Sequence, residues 1–208
     1  MVSVTAVIIG IILFLVIYNN PQAPVVVSDA SKLVRADSNM TGTASAKVTL
    51  VEFGDYECPA CGASEPVIKK ILETYAKNPN FNFVFRNFPL TSIHANALIS
   101  AEAAEAAGAQ GKYWQMNELL YINQSQWSES KTPLDIFVGY AQQLNLDVNK
   151  FKQEVQSNKY ANKINADSND GNAVGINATP TFYLNGVQTV GVPLFDGLKA
   201  KIDQELAK

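Results

Sequence analysis

The sequence is short of the residues that build two common kinds of structural site. Its 208 residues include only two cysteines, one histidine and two tryptophans. A secreted domain held together by disulfides would space several cysteines widely along the chain, so this fold does not depend on such bridges. With a single histidine, a mononuclear zinc site would need carboxylates or a second chain, so no metal is predicted.

A strong charge of either sign is also missing. The 16 basic and 19 acidic side chains give a formal net charge of -3, and Lys and Arg stand singly or in pairs. A basic surface for nucleic acid is therefore not expected. Hydrophobic residues make up 47% of the chain, which is far too many for a disordered protein, and the length fits one domain with an appendage.

One long apolar run lies at the amino terminus. Residues 2–18 contain no charged side chain and, as a helix, would rise about 25 Å, close to the thickness of a bilayer core. We predict a transmembrane anchor over residues 1–18, with a cleaved signal peptide as the alternative. No basic residue precedes the run, and Asn-Asn-Pro directly after it is a poor cleavage site, which favours the anchor.

Residues 19–46 are predicted to form a linker to the membrane. They contain Pro21 and Pro24, followed by mostly small and polar residues with little apolar periodicity. Part of this segment, such as residues 24–27, could add an edge strand to the sheet. The folded domain is then expected over residues 47–208.

The first part of this domain has the pattern of a strand-helix-strand unit. Residues 47–53 (KVTLVEF) and 81–88 (FNFVFRNF) predict two strands, and the alternating phenylalanines of the second predict one apolar face. Between them, apolar residues recur at helical spacing after Pro59, with a kink expected at Pro66. The two cysteines therefore lie at the corner where the first strand meets the helix.

The second part is mostly helical and ends in a hairpin and a helix. Residues from about 92 to 175 contain several segments rich in helix formers, and polar breaks separate these segments. Residues 181–184 and 187–190 predict two strands, because the Asn185-Gly186 pair between them is a strong hairpin signal. An amphipathic helix is expected over residues 194–206. The predicted fold class is α/β with a helical insertion.

A Cys-x-x-Cys pair at a strand-to-helix corner is typical of redox chemistry. The unpaired N–H groups and partial positive charge of the helix amino terminus favour a thiolate at Cys58. The two intervening residues let Cys61 reach back to attack a mixed disulfide. Half of a zinc site has the same spacing, so the pair alone is only moderately specific. Glu57, next to Cys58, is a like charge that is expected to oppose the thiolate.

Longer stretches narrow the choice of family. Residues 50–67 contain VEFGDYECPACGASEPV, which resembles the thioredoxin superfamily, and GINATPTFYLNGVQTVG resembles its cis-proline loop. Between them, FRNFPL and AEAAEAAGAQGKYWQMNELLY resemble the helical insertion of the DsbA-like thiol-disulfide oxidoreductases, including membrane-anchored Gram-positive members. The similarity covers nearly all of residues 47–208 and implies a thioredoxin fold with a helical insertion at about 92–175.

The resemblance implies a role for several matching residues. Cys58 would be the nucleophile and Cys61 the resolving thiol. Thr179 and Pro180, the second of which would follow a cis peptide bond, would bind the substrate chain together with Pro59 and Ala60.

Glu52 lies six residues before Cys58, where DsbA-like proteins often carry a buried acid. Such a group would manage the proton of the resolving thiol; the alternative is a surface residue on an edge strand. His94, the single histidine, is expected to be a polar residue at the start of a helix rather than a catalytic one.

The function implied by the resemblance is the oxidation of thiols in exported proteins, by a domain on the extracytoplasmic side of the cell membrane. Its substrates would be reduced or unfolded exported proteins, a quinone-linked membrane partner would reoxidise it, and it would need no organic cofactor. Because Pro59-Ala60 contains no histidine, we expect an oxidant of intermediate strength, with a potential above about -270 mV. The open alternatives are a reductase or isomerase of the same fold, a chaperone-like binding module and a metal carrier.

Overall fold

The computed structural model describes residues 25–189 and 192–208. Five strands are present among these residues: β1 (Asn39–Met40), β2 (Val48–Gly54), β3 (Phe81–Asn87), β4 (Thr181–Leu184) and β5 (Val187–Thr189). The described helices are α1 (Pro59–Tyr75), α2 (Ala97–Gly108), α3 (Tyr113–Ile122), α4 (Gln124–Trp127), α5 (Pro133–Gln143), α6 (Val148–Gln156), α7 (Ala161–Ala173) and α8 (Phe195–Ala207). The expected order of strand, helix, strand, helical insertion, hairpin and helix is therefore confirmed.

The five strands form one mixed sheet with β2 at its centre. Their order is β1-β3-β2-β4-β5, in which β2 and β3 are parallel and the other pairs are antiparallel. The parallel pair needs a crossover, and α1 supplies it. Because β2 is flanked on both sides, its carboxyl end brings the start of α1 close to the start of β4, where Phe53 pairs with Thr181.

The two faces of the sheet bury different side chains. Leu50, Phe83 and Phe85 pack into one core with residues of α1, α8 and the helical insertion. Val51 and Phe53 point to the other face, because successive residues of a strand alternate between faces. The alternation predicted for the phenylalanines of β3 is confirmed.

Six helices, α2 to α7, lie between β3 and β4. The alanine-rich α2 is buried along most of its length and packs against α3, α5 and α6. Its small side chains allow close approach on several sides, which explains why this helix is central although it has only a weak amphipathic pattern. The helix α1 runs through Pro66 without ending there.

The boundary predicted between linker and domain is wrong for the part of the linker that the structure describes. Residues 25–46 pack on the sheet: Leu33 is buried in the second core, and Asn39 of β1 pairs with Phe85. Arg86 of β3 donates to the carbonyl of Leu33 at 2.9 Å. The apolar residues of this segment are too scattered to give a periodic signal, but together they cover the second face of the sheet.

The first residues of this segment also extend the sheet. Val26 forms an isolated antiparallel bridge with Val187, and the N–H of Val27 donates to the carbonyl of Gly186 at 2.9 Å. The edge strand predicted here is thus present as a single bridge. Asn185 and Gly186 form the predicted hairpin turn, both with positive φ.

The predicted membrane anchor at residues 1–18 lies outside the described residues. Within the described part of the chain, no helix combines the length and apolar character needed to cross a bilayer.

Candidate active site

Cys58 and Cys61 lie at the corner between β2 and α1, as the sequence predicts. Cys58 is the residue that precedes the first turn of α1, and Pro59 occupies the first helical position. Proline is favoured there because the N–H it lacks would have no partner within the helix. The N–H of Cys58 donates to the carbonyl of Asp55 at 3.1 Å, which closes the turn between strand and helix.

The two cysteines are free thiols with different surroundings. The side chain of Cys58 retains a little exposure, whereas Cys61 is almost wholly buried. The pKa of Cys58 is lowered to about 5, chiefly by a hydrogen bond from the Cys61 thiol, then by Thr179 and by the N–H groups of Cys61 and Ala60, against the opposing effect of burial. Burial raises the pKa of Cys61 well above its usual value, and the Cys58 sulfur and Glu52 raise it further.

Thr179 and Pro180 lie against the cysteine pair from the opposite side. The Thr179–Pro180 peptide bond is cis, as the sequence predicts. The sulfur of Cys58 is 3.3 Å from the carbonyl oxygen of Thr179, although the two residues are 121 positions apart. The pairing of β4 with the centre of the sheet produces this contact, because Thr181 follows the loop directly and lies beside Phe53.

Glu52 is a buried residue of the central strand. It is only 1% exposed and lies between Phe85 and Phe182 in the sheet, so the alternative of a surface residue on an edge strand is wrong. Burial raises the pKa of its carboxyl well above the usual value, and the neighbouring Glu65 and Cys58 raise it further. Glu52 and Cys61 therefore each disfavour the charged form of the other.

His94 contacts the active-site corner, which the sequence did not indicate. Its Nδ1 is 2.7 Å from the carboxylate of Asp55, and this buried carboxylate also accepts the N–H groups of Glu57 and Leu90, both at 2.8 Å. His94 precedes α2 by three residues instead of starting it. The pair joins residues 39 positions apart, and no local pattern marks such a contact.

The carboxylate of Glu57 is hydrogen-bonded to the helical insertion. Its Oε2 accepts the N–H of Asn96 at 2.6 Å, so the carboxylate is directed at the start of α2. A carboxylate is favourable at a helix amino terminus, where N–H groups lack partners. The expected opposition of Glu57 to a thiolate at Cys58 does not keep the pKa of Cys58 from falling.

Residues of the helical insertion hold every residue of the corner from Asp55 to Cys58. Besides the contacts of Asp55 and Glu57, the hydroxyl of Tyr56 is 3.0 Å from that of Tyr113 and accepts from Asn117 at 3.1 Å. Gln124 donates to the carbonyl oxygens of Tyr56 and Cys58, at 2.7 and 3.0 Å. The insertion thus helps to hold the turn that carries Cys58.

Comparison with known proteins shows the family and the fold of this chain. A family model described as Thioredoxin matches residues 35–204. The chain is 31% identical over 172 residues to a "Probable disulfide bond formation protein D" from Bacillus cereus, which covers 80% of this chain and 78% of that protein. The fold of the present chain is similar to that of BdbD from Bacillus subtilis in the oxidised form. The TM-score is 0.74, and the identity is 24% over 82% of this chain and 94% of BdbD.

Another group of relatives has a different name. The chain is 36% identical over 169 residues to "Na(+)/H(+) antiporter NhaA 1" from Salinispora arenicola. The match covers 81% of this chain and 25% of the antiporter, so the chain spans about a quarter of the length of that relative.

Proposed function

The chain belongs to the thioredoxin family, and we propose that it is a thiol-disulfide oxidoreductase that introduces disulfide bonds into exported proteins. The observation that carries the proposal is the contrast between its two thiols. Cys58 retains a little exposure and its pKa is lowered to about 5, whereas Cys61 is almost wholly buried and its pKa is raised. A stable Cys58 thiolate favours the reduced form of the protein, and this makes the oxidised form a disulfide donor.

The proposed reaction is a balanced exchange of two thiols for one disulfide. A substrate thiolate attacks the sulfur of Cys58, the Cys58–Cys61 bond breaks, and Cys61 leaves as a thiolate that takes up a proton. A second substrate thiolate then attacks the substrate sulfur of the mixed disulfide, and Cys58 leaves as a thiolate. The substrate loses two electrons and gains a disulfide, and the protein gains the two electrons as its reduced cysteine pair.

We assign the neighbouring residues to proton transfer and substrate binding. Glu52, with its raised pKa beside Cys61, is suited to exchange a proton with that thiol during the first step. The loop of Thr179 and Pro180 and the exposed face of Pro59 and Ala60 adjoin the Cys58 sulfur, where a substrate chain would have to lie.

The proposal also includes the setting in which the protein works. An anchor at residues 1–18 would hold the domain on the extracytoplasmic side of the membrane, where structural disulfides persist. A quinone-linked membrane protein would accept the two electrons and restore the Cys58–Cys61 disulfide. The name of the Bacillus cereus relative supports disulfide formation as the direction of the reaction.

Trapping of mixed disulfides tests the role of each cysteine. We incubate the reduced full-length chain with an unfolded protein that contains disulfides, and we separate the products on non-reducing gels. Cys61→Ser should accumulate a mixed disulfide through Cys58, whereas Cys58→Ser and the double variant should accumulate none. Equal trapping by the two single variants would contradict the assignment of Cys58 as the nucleophile.

The reduction potential, titrated against glutathione, decides the direction of electron flow. A value near or above about -180 mV would support donation of disulfides. A value near about -270 mV, the range of thioredoxin, would identify a reductase of the same fold and overturn the proposed direction.

A further inference from the structure

A side chain of the helical insertion contacts the backbone of the nucleophilic cysteine. Gln124 is the first residue of the short helix α4, and its Nε2 donates to the carbonyl oxygens of Tyr56 at 2.7 Å and of Cys58 at 3.0 Å. The two N–H bonds of one amide group thus join both ends of the turn that precedes α1. Gln124 lies 66 positions from Cys58, so it reaches this turn only through the fold.

Gly62 makes room for this amide in the first turns of α1. A Cβ at position 62 would lie 2.8 Å from Oε1 of Gln124, closer than real Cβ atoms approach other heavy atoms, and 3.2 Å from its Cδ, so the amide group would have to move aside. Glycine is a poor helix former, so its presence within a helix calls for a reason of this kind. The helix and the insertion therefore fit each other at the position of the amide group.

The remainder of α4 is firmly held within the insertion. Trp127 is fully buried, its Nε1 donates to the carbonyl of Leu120 at 2.8 Å, and its ring packs edge-on against Phe137. Gln124 thus extends from a well-packed helix. Motion of the Cys58 carbonyl would have to break the hydrogen bond to this amide or displace α4.

The carbonyl of Cys58 matters because it begins the hydrogen bonding of α1. It accepts the N–H of Gly62 at 3.1 Å as well as Nε2 of Gln124. The N–H groups of Ala60 and Cys61, in the same turn, are the backbone donors that stabilise a thiolate at Cys58. The orientation of these donors depends on the turn to which Gln124 is hydrogen-bonded.

We propose that Gln124 is a positioning residue that holds the turn around Cys58 in the geometry that directs its N–H groups at the sulfur. The inference rests on the proposed function, because it concerns the reactivity of the same thiol. Gln124 acts through the backbone of Cys58 and does not contact the reacting sulfur in this arrangement.

The test measures how Cys58 titrates in a variant that keeps the size of Gln124 but removes its N–H donors. In Gln124→Met, the pKa of Cys58 should rise by about half a unit or more, because the turn is free to relax. The pKa is obtained from the ultraviolet absorbance of the thiolate in the reduced full-length chain. The spectrum of Cys58→Ser identifies the signal of Cys58 and separates it from the titration of Cys61 and Glu52, the ionisable groups that face it.

Two further variants separate positioning from general stability. Gln126→Met removes an exposed amide two residues away, which donates to Asn123 within the same turn, and should leave the pKa of Cys58 unchanged. Gly62→Ala displaces the Gln124 amide from the side of α1 and should raise the pKa in the same direction. It keeps the inference testable if Gln124→Met fails to fold.

The inference is judged by the difference in the pKa of Cys58 between each variant and the unaltered chain. If neither Gln124→Met nor Gly62→Ala raises the pKa of Cys58 relative to the unaltered chain, the positioning role is wrong, while the proposed function stands. If Cys58 of the unaltered chain titrates like an ordinary cysteine, the basis of the proposed function fails, and a rise in both variants would still support the role of Gln124.

Discussion

The two faces of the sheet treat buried charge in opposite ways. On the face that packs against α1, Glu52 is buried beside Glu65 and Cys58, groups that become negative when they ionise. On the other face, the fully buried guanidinium of Arg86 lies 2.6 Å from the carboxylate of Asp167 and 2.9 Å from that of Asp170. One face leaves its buried acid opposed by like charges, and the other compensates its buried base with two acids.

The difference matches the roles that we propose for the two faces. A buried ion whose partners match it in charge and geometry stays ionised and fixes the packing around it. A buried carboxyl beside like charges favours the protonated form and can exchange its proton with a neighbouring thiol. The arrangement around Arg86 ties β3 to α7 and to the amino-terminal segment, whereas the arrangement around Glu52 suits proton transfer.

Loss of the Arg86 side chain should cause the largest fall in the free energy of unfolding. Arg86→Met leaves the carboxylates of Asp167 and Asp170 buried without their main partner, and we expect the free energy of unfolding to fall by about 3–5 kcal/mol. Chemical denaturation of the reduced protein measures this change. Lys32→Met is the matched control, because Lys32 also pairs with Asp170 but is 40% exposed, and we expect it to cost less than about 1 kcal/mol. Similar losses in the two variants would contradict the contrast between buried and exposed partners.

Truncation of the Leu33 side chain should cause the next largest fall in the free energy of unfolding. Leu33 is 4% exposed and covers the Arg86 face of the sheet, so Leu33→Ala should lower the free energy of unfolding by about 2–4 kcal/mol. Val25→Ala, at a half-exposed position of the same segment, is the control and should change it little. If Leu33→Ala lowers the free energy of unfolding by less than about 1 kcal/mol, residues 25–46 contribute little to the stability of the folded domain.

The pH dependence of stability should reveal Glu52. Because its pKa is raised in the folded state, the folded protein binds the proton more tightly than the unfolded chain. The stabilisation from the protonated group is complete below the unfolded pKa and is lost as the pH rises through the folded pKa, with a slope of at most about 1.4 kcal/mol per pH unit. Glu52→Gln should reduce this slope, and the part that remains is expected from Glu65 and Glu102, because burial raises the pKa of each of these carboxyls to about 7.

The measurement uses the oxidised protein, so that Cys58 and Cys61 do not titrate, and follows the denaturation midpoint from acidic to neutral pH. Glu129→Gln, at an exposed position, should leave the slope in place. If Glu52→Gln has the same slope as the unaltered chain, Glu52 is not the group that the fold keeps protonated.

Local patterns predicted the elements that carry the two cysteines. The alternation of Phe81, Phe83 and Phe85 gave the face of β3, and the strand before Cys58 and the helix after it gave the corner. Asn-Gly gave the hairpin. Each of these signals lies within a few residues of the feature that it predicts, because strand alternation, helix periodicity and turn chemistry are properties of short stretches.

The contacts that complete the site could not be predicted in this way. His94 meets Asp55 across 39 positions, and Gln124 meets Cys58 across 66, in each case because the helical insertion folds back on the corner. The sequence places Leu33 in a linker because one short apolar pair, Leu33-Val34, among polar residues has no period. Such residues can be recognised only when the fold has brought their partners together.

The turn at Asn185 and Gly186 also bears on how the protein ages. In an Asn-Gly pair, the backbone nitrogen of the glycine can attack the asparagine side chain to form a cyclic imide with loss of ammonia, and water then opens the imide to a carboxylate. Here the side chain is held at both ends: Oδ1 accepts the N–H of Thr49 at 2.9 Å, and Nδ2 donates to Lys47 at 3.3 Å and to Glu205 at 3.1 Å. Deamidation would put a new carboxylate beside Glu205 and remove the donor that joins the hairpin to β2 and α8. The same hydrogen bonds restrain the amide from cyclising, so we expect the folded protein to keep this asparagine much longer than an unfolded chain does.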